Sequence, residues 1–145
     1  MADASPVRLV VFQVADLTCA VPVATVREII PTQPATRIPG APRAVDGLVN
    51  VRGSLLTVVS GHLVLDRPST PQPDRSVMVL EVAGKWLGLA VDAVLDLIDV
   101  PPDDLAPKEA LPGLDPRLVK AVGRRNDDVF VVLDTEALLA PLIAG

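Results

Sequence analysis

The reactive side chains of this sequence are few. The chain has one histidine, His62, and one cysteine, Cys19. A single imidazole cannot supply a histidine-rich metal centre, and we expect His62 to be a strand residue that faces solvent or a loop rather than a catalyst. Cys19 stands in an apolar segment without an obvious cationic neighbour. It is therefore expected to be a small core residue rather than a nucleophile.

Carboxylate pairs and glycines do not add a catalytic pattern. The adjacent pairs Asp103-Asp104 and Asp127-Asp128 stand in turn-like sequence, where neighbouring carboxylates are usually solvated. The glycines lack the spacing of a phosphate-cradling loop. These observations predict that the chain is not an enzyme and holds no cofactor and no metal.

Arg52, which stands in an apolar stretch, is a candidate for a structural or a partner-binding role rather than a catalytic one. Residues 47–53 resemble a strand closed by a glycine turn, and Arg52 is the charged residue within it. An unpaired buried arginine would cost stability, so Arg52 should lie at a strand end, paired or exposed. It could be a structural residue bonded to a loop carboxylate or carbonyl, or it could bind a partner protein.

Composition excludes several classes of function. Half of the residues are apolar, the aromatic residues are two Phe and one Trp, and the formal net charge is −5. A chain without basic blocks or aromatic platforms is not expected to bind nucleic acid. No apolar run reaches the length of a membrane span, and the N-terminus lacks a signal-peptide pattern. A cytoplasmic protein without membrane insertion is the default prediction.

The elements that would position these residues are mostly short strands. Two apolar segments on either side of Ala15-Asp16, and two on either side of Ala83-Gly84, predict β-hairpins. Apolar spacing predicts a short helix near 23–29, and Asp134 can cap another over 135–140. The run 55–65 suggests a strand with a bulge at Gly61-His62. Residues 1–6 are expected to form a flexible N-terminus, and 67–74 a proline-rich loop.

The sequence also contains an internal repeat. Sliding it by 68 positions places Val11 on Val79 and Val26 on Val94, and the hairpin turns coincide. Sliding it by 74 positions places residues 47–52 on 121–126. This internal repeat predicts an all-β fold of two similar five-stranded units, most simply two small barrels packed around a shared apolar seam.

The two copies differ at the arginine. At the position of Arg52 the second copy has Asn126, and at the position of Ser60 it has Asp134. The β-unit therefore does not require an arginine for its own folding. This difference favours the interpretation of Arg52 as a residue that binds a partner.

Several motifs resemble one known family. Val26-Arg-Glu28-Ile is followed at the right distance by Asn50-Val-Arg52-Gly53, and further similar stretches lie at 19–25, 38–42, 89–94 and 133–136. Together they resemble the CheW family, whose members are scaffold proteins that couple chemoreceptors to the histidine kinase CheA. The resemblance covers residues 7–140, which we interpret as a single CheW-like domain with two β-barrel lobes.

The resemblance implies a fold, partners and contact residues. Family members have two five-stranded β-barrels around a common apolar seam, in agreement with the repeat. The implied function is a non-enzymatic adaptor of chemotaxis-type signalling. Its implied partners are the regulatory domain of a CheA-type histidine kinase and the cytoplasmic tip of a methyl-accepting chemoreceptor. The implied partner-binding residues are Val26, Glu28, Gly47, Asn50, Arg52, Gly53, Val94 and Leu97.

The chain departs from the family after this motif, and a second function stays open. The family usually has Pro, Asp and Leu where this sequence has Thr57, Ser60 and Gly61, and His62 follows them. Cys19 stands where a large aromatic residue is usual. The alternative to an adaptor is a small-molecule sensor or carrier that binds an apolar ligand in the seam between the barrels.

Overall fold

The computed structural model describes residues 5–68, 75–107 and 114–143. Most of the predicted flexible N-terminus and of the predicted loop 67–74 therefore lies outside the described residues. The strands are β1 Val7–Val14, β2 Leu17–Pro22, β3 Val26–Pro31, β4 Val45–Val51, β5 Ser54–Ser60, β6 Ser76–Val82, β7 Lys85–Val91, β8 Ala93–Val100, β9 Ala106–Pro107, β10 Val119–Arg125 and β11 Asp128–Leu133. The helices are α1 Gly61–Val64 and α2 Thr135–Ile143.

Two-residue turns create the hairpins of the fold. They join β1 to β2, β4 to β5, β6 to β7 and β10 to β11. The first residue of each turn has a positive φ, which is 53° at Ala15, 50° at Arg52, 52° at Ala83 and 56° at Asn126. Turns with positive φ at this position match the right-handed twist of the flanking strands. The predicted hairpins at Ala15-Asp16 and Ala83-Gly84 are confirmed.

The strands form two sheets, which we call lobe A and lobe B. Lobe A has the order β8-β1-β2-β11-β10, with the two-residue β9 added beyond β10, and lobe B has the order β3-β6-β7-β5-β4. Most neighbours are antiparallel, but β11 pairs with β2 and β5 pairs with β7 in parallel. The all-β fold with two five-stranded units is confirmed. The units are open sheets and not closed barrels, because β3 and β4 end the order of lobe B and β8 begins that of lobe A.

Each lobe combines strands from both halves of the chain. Lobe A takes β1 and β2 from the first half and β8, β10 and β11 from the second. Lobe B takes β3, β4 and β5 from the first half and β6 and β7 from the second. The repeated sequence is therefore not one lobe, since each copy contributes its first hairpin to one sheet and its remaining strands to the other.

Three apolar clusters fill the molecule. One combines side chains of both lobes, including Phe12 and Val131 of lobe A with Met78 and Leu89 of lobe B. It forms the shared seam that the repeat predicts. Smaller clusters lie inside each lobe, around Phe130 in lobe A and around several valines in lobe B. Burial of β-branched and aliphatic side chains is the main stabilising contribution in such a chain with few aromatic residues.

Two predictions about the boundaries and types of single elements also need correction. The segment 23–29 is not a helix: a single 3-10 turn at Val23–Thr25 leads into strand β3, which pairs with β6. The β-branched residues and the prolines at both ends favour the strand over a helix. The final helix is confirmed, and the Asp134 carboxylate caps it by accepting a hydrogen bond from the Ala137 N–H at 3.0 Å.

The second correction concerns the run 55–65. Strand β5 ends at Ser60, and Gly61-His62 begins the one-turn helix α1 rather than a bulge. The Ser60 hydroxyl caps this helix by accepting a hydrogen bond from the Leu63 N–H at 3.2 Å. A Cβ on Gly61 would lie 2.5 Å from the Ala90 carbonyl oxygen, so the glycine allows α1 to pack directly on β7.

Candidate functional site

The Asn-x-Arg-Gly motif forms the turn between β4 and β5. Arg52 and Gly53 have φ values of 50° and 86°, as in a type I′ turn. The Asn50 side-chain oxygen accepts a hydrogen bond from the Gly53 N–H at 2.8 Å. Asn50 and Gly53 therefore have local structural roles, because one fixes the turn and the other tolerates its backbone.

Arg52 is an unusual residue for this backbone position. A left-handed conformation costs a residue with a Cβ roughly 1–2 kcal/mol, and Asn tolerates it better than Arg does. The equivalent turn of lobe A carries Asn126 with φ 56°. Turn formation alone would favour Asn or Gly at position 52, although Ala15 and Ala83 take the same conformation in the other two hairpins. The turn therefore gives no reason for an arginine, and its side chain is the place to look for one.

The Arg52 side chain makes a bidentate ion pair with Glu28 of β3. The Nη1 and Nη2 groups of Arg52 donate to Oε2 and Oε1 of Glu28 at 2.8 and 2.5 Å. These hydrogen bonds hold the pKa of the Glu28 carboxyl below its ordinary value, against a smaller opposing effect of desolvation. The Arg52 side chain is 72% exposed and that of Glu28 is 29% exposed. Arg52 thus has an intramolecular partner and still presents most of its surface to solvent.

This ion pair spans the two edge strands of lobe B. Glu28 lies on β3, at one end of the sheet order, and Arg52 follows β4, at the other end. The contact therefore joins edges that share no backbone ladder. The contact agrees with the structural interpretation of Arg52 as an arginine bonded to a carboxylate. A role in binding a partner protein stays a prediction.

An apolar groove of about 310 Å³ lies next to the ion pair. Leu56 and Val79 line its floor and are buried, whereas Leu55 and Trp86 are 68% and 56% exposed. Exposed apolar surface beside a charged pair is typical of protein interaction sites, and Trp and Arg are enriched among the residues that dominate binding. Lobe B therefore offers a surface composed of Glu28, Arg52, Leu55 and Trp86, which we call the clasp surface.

Sequence reasoning missed Leu55 and Trp86. The signal for Trp86 was present, since it is the single tryptophan of the chain and alternates along β7 with the buried Leu87. Its indole N–H donates to Glu81 Oε1 at 2.9 Å, and Arg27 Nη2 lies 2.9 Å from the same oxygen. These polar contacts hold the ring at the surface.

The remaining predicted contact residues are not among those that line this groove. Val26 and Val94, which are equivalent in the repeat, are half-buried and pack against the seam cluster. Leu97 is 58% exposed on β8, the edge strand of lobe A. Gly47 is buried, and a Cβ there would lie 2.3 Å from the Thr36 carbonyl oxygen. A close backbone approach thus explains Gly47 on structural grounds, and its role in partner contact stays a prediction.

The expectation for His62 is wrong. The residue is 3% exposed and lies in α1, not on a strand facing solvent or a loop. Its Nε2 lies 2.8 Å from Asp92 Oδ1 and its Nδ1 lies 2.5 Å from the Pro68 carbonyl oxygen. The Asp92 carboxylate that contacts the ring lies 30 residues further along the chain. The sequence around His62 therefore gave no indication of this contact.

Cys19 is a core residue, as expected. It is fully buried on β2, and desolvation by burial raises the pKa of its thiol to about 12, with a small opposing effect of Arg67. Of the predicted solvated carboxylates, Asp103 and Asp104 are exposed in a 3-10 turn and Asp127 is exposed in the β10–β11 turn. Among the described residues there is no group of three or more His, Cys, Asp or Glu that could hold a metal ion.

The fold and this surface define a small β-scaffold with interaction surfaces. Residues 8–141 match the model of the CheW-like domain family, so the chain belongs to the CheW family. Proteins of this family are non-enzymatic scaffold and coupling proteins of chemotaxis. The chain is accordingly a chemotaxis adaptor of this class.

Individual relatives agree with this assignment. The chain is 28% identical over 134 residues to a probable chemotaxis protein CheW of Rhizobium etli, covering 91% of this chain and 86% of the relative. It is 36% identical over 100 residues to the chemotaxis protein CheW of Rhizobium meliloti, covering 68% of this chain and 64% of the relative. The crystal structure of the scaffolding protein TtCheW from Thermoanaerobacter tengcongensis has the same fold, with a TM-score of 0.82, 23% identity and 89% coverage of both chains.

Within the residues that the structure describes, neither helix has the length and apolar composition needed to cross a bilayer.

Proposed function

We propose that this chain couples a methyl-accepting chemoreceptor to a CheA-type histidine kinase in the cytoplasm. The observation that carries the proposal is Arg52. It occupies a left-handed turn position that favours Asn or Gly, and it places a paired but 72% exposed guanidinium beside an apolar groove. Family membership supplies the class of partner, and the clasp surface supplies a place for one of them.

Two surfaces on different lobes suit an adaptor. The clasp surface belongs to lobe B, whereas Leu97 is exposed on the edge strand of lobe A. A protein that holds two partners at once needs separate faces on a rigid body, and the seam cluster joins the lobes through fully buried side chains such as Phe12 and Leu80. We assign the clasp surface to one partner and the β8 edge to the other.

The test is association with the purified receptor fragment and kinase encoded near this gene. Arg52→Glu reverses the charge of the clasp surface, and Leu97→Glu places a charge on the β8 edge. We expect each substitution to weaken one association at least tenfold and to leave the other largely intact. Arg124→Glu, at an exposed position of β10, is the matched control. If Arg52→Glu and Leu97→Glu both bind receptor and kinase as the parent does, the site assignment is wrong.

A carrier of an apolar ligand is the competing function. It would need room in the seam, but the described seam holds closely packed side chains, among them Met78, Leu80 and Leu89, each fully buried. Native mass spectrometry of the purified protein checks this alternative, because a co-purifying apolar molecule would favour it.

A further inference from the structure

The single histidine of the chain sits between two hydrogen-bond acceptors. Its Nε2 faces Asp92 Oδ1 at 2.8 Å, and its Nδ1 faces the Pro68 carbonyl oxygen at 2.5 Å. A neutral imidazole has one N–H, so it can donate to only one of these oxygens. The doubly protonated ring donates to both.

Asp92 connects this ring to the other lobe. It follows β7 of lobe B, and its Oδ2 accepts a hydrogen bond from the Ala15 N–H of lobe A at 2.6 Å. Its own N–H donates to the Gln13 carbonyl oxygen at 2.9 Å. Because β8 begins at Ala93, the placement of Asp92 also sets where the edge strand of lobe A starts relative to lobe B.

Further charged groups lie around the cluster. Arg75, which precedes β6, places its Nε 3.6 Å from Asp92 Oδ1. Asp46 of β4 lines the same pocket of about 150 Å³, and burial raises the pKa of its carboxyl against the opposing effect of Arg75. A second pocket that His62 also lines includes Arg43, Asp66 and Arg67. Arg75 supplies one cation for Asp46 and Asp92, and a charged His62 would supply a second.

We propose that His62 is a positioning residue that acts through Asp92 to hold the two lobes, and with them the two partner surfaces, in their relative placement. The doubly protonated ring bonds Asp92 and Pro68 together. When the ring loses a proton as pH rises, one ring nitrogen presents a lone pair to an oxygen, and one of the two contacts opens. The effect on partners rests on the proposed function, whereas the state of the ring does not.

The ring itself is the first measurement. Since the chain has one histidine, 15N-edited NMR of the imidazole gives a single set of signals without assignment. At pH 6 we expect both ring nitrogens to carry protons that exchange slowly with water. A singly protonated ring at pH 6 in the folded protein would overturn the proposal.

Binding across pH is the second measurement. Between pH 6 and 8.5 we expect affinity for the kinase regulatory domain to fall about fivefold in the parent protein. His62→Arg keeps a cation at every pH, so its affinity should not vary over this range, whereas His62→Gln should bind weakly throughout. Thermal unfolding at each pH shows which variants remain folded. Identical pH profiles of kinase binding for the parent and His62→Arg would overturn the proposal.

The two proposals fail in different ways. Arg52→Glu measured at pH 6 tests the clasp surface without touching the ring. Unchanged binding by Arg52→Glu contradicts the proposed function, while the NMR result for His62 tests the positioning role independently.

Discussion

Arg52 and Asn126 occupy the same place in two equivalent hairpins, with φ values of 50° and 56°, but the Arg52 side chain reaches back across the sheet edge to Glu28. The backbone position is thus shared between the two lobes, and the ion pair belongs to lobe B. The turn thus needs a residue that tolerates a positive φ, and the arginine adds the ion pair with Glu28.

The first prediction follows from that contrast. Arg52→Asn removes an exposed ion pair, which contributes little to stability, and relieves the left-handed backbone. We expect a melting temperature within about 3 °C of the parent's, or above it, together with the same loss of partner binding as Arg52→Glu. Calorimetry and a pull-down assay measure the two properties. A large loss of stability would show that the arginine is chiefly structural.

The second prediction concerns Gly47. Gly47→Ala places a Cβ 2.3 Å from the Thr36 carbonyl oxygen at a backbone φ of 144°, so we expect a destabilisation of roughly 2 kcal/mol or more in urea unfolding. Gly84→Ala is the matched control, because its φ is also positive, at 76°, but nothing lies within 4 Å of the added Cβ. Equal destabilisation by both substitutions would contradict the close-approach explanation.

The third prediction uses the raised pKa of Cys19. An ordinary thiol has a pKa of 9.0 and this one is raised to about 12, so the folded protein holds about a thousandfold less thiolate near pH 8. Alkylation of the native protein should therefore be very slow and should accelerate on unfolding in urea. The raised pKa also means that the folded state keeps the proton that the unfolded chain releases. Its contribution to stability is thus present below pH 9 and is lost as pH rises from 9 towards 12. Rapid alkylation of native protein would show that the thiol is accessible.

The fourth prediction uses Trp86 as a reporter. It is the single tryptophan and is 56% exposed on the clasp surface, so a partner that covers the groove should shift its emission to shorter wavelength. Trp86→Ala should weaken that association at least tenfold with little change in stability, since the ring is mostly outside the core. Fluorescence titration with each partner in turn measures both effects. Complex formation at parental affinity with unchanged emission would place the partner elsewhere.

Much of the fold could be predicted because its signals are local. The hairpin at Ala83-Gly84 follows from a turn sequence between alternating apolar residues, and the cap of α2 follows from Asp134 directly before it. The helix predicted at 23–29 failed because apolar spacing over one or two turns does not distinguish a helix from a strand, and pairing with β6 decided the outcome.

The candidate site was predicted only in part. Glu28 and Arg52 were both identified through the family motif, but nothing in the sequence showed that they pair, since the contact joins two edges of one sheet. Leu55 was missed because an exposed face and a buried face of a strand look alike until the neighbouring strands are known. Trp86 was missed although its alternation with Leu87 indicated an exposed position.

The sequence by itself determined the class of protein, the all-β composition, two of the four hairpin turns and the internal repeat, because each depends on residue types at short range or on motifs. The tertiary structure alone decided that each half of the chain gives its first hairpin to one lobe and its remaining strands to the other. It also decided that His62 is buried against Asp92 and that Arg52 meets Glu28. These contacts join residues 24 or more positions apart, and their energies depend on burial and geometry that exist only after the strands have paired.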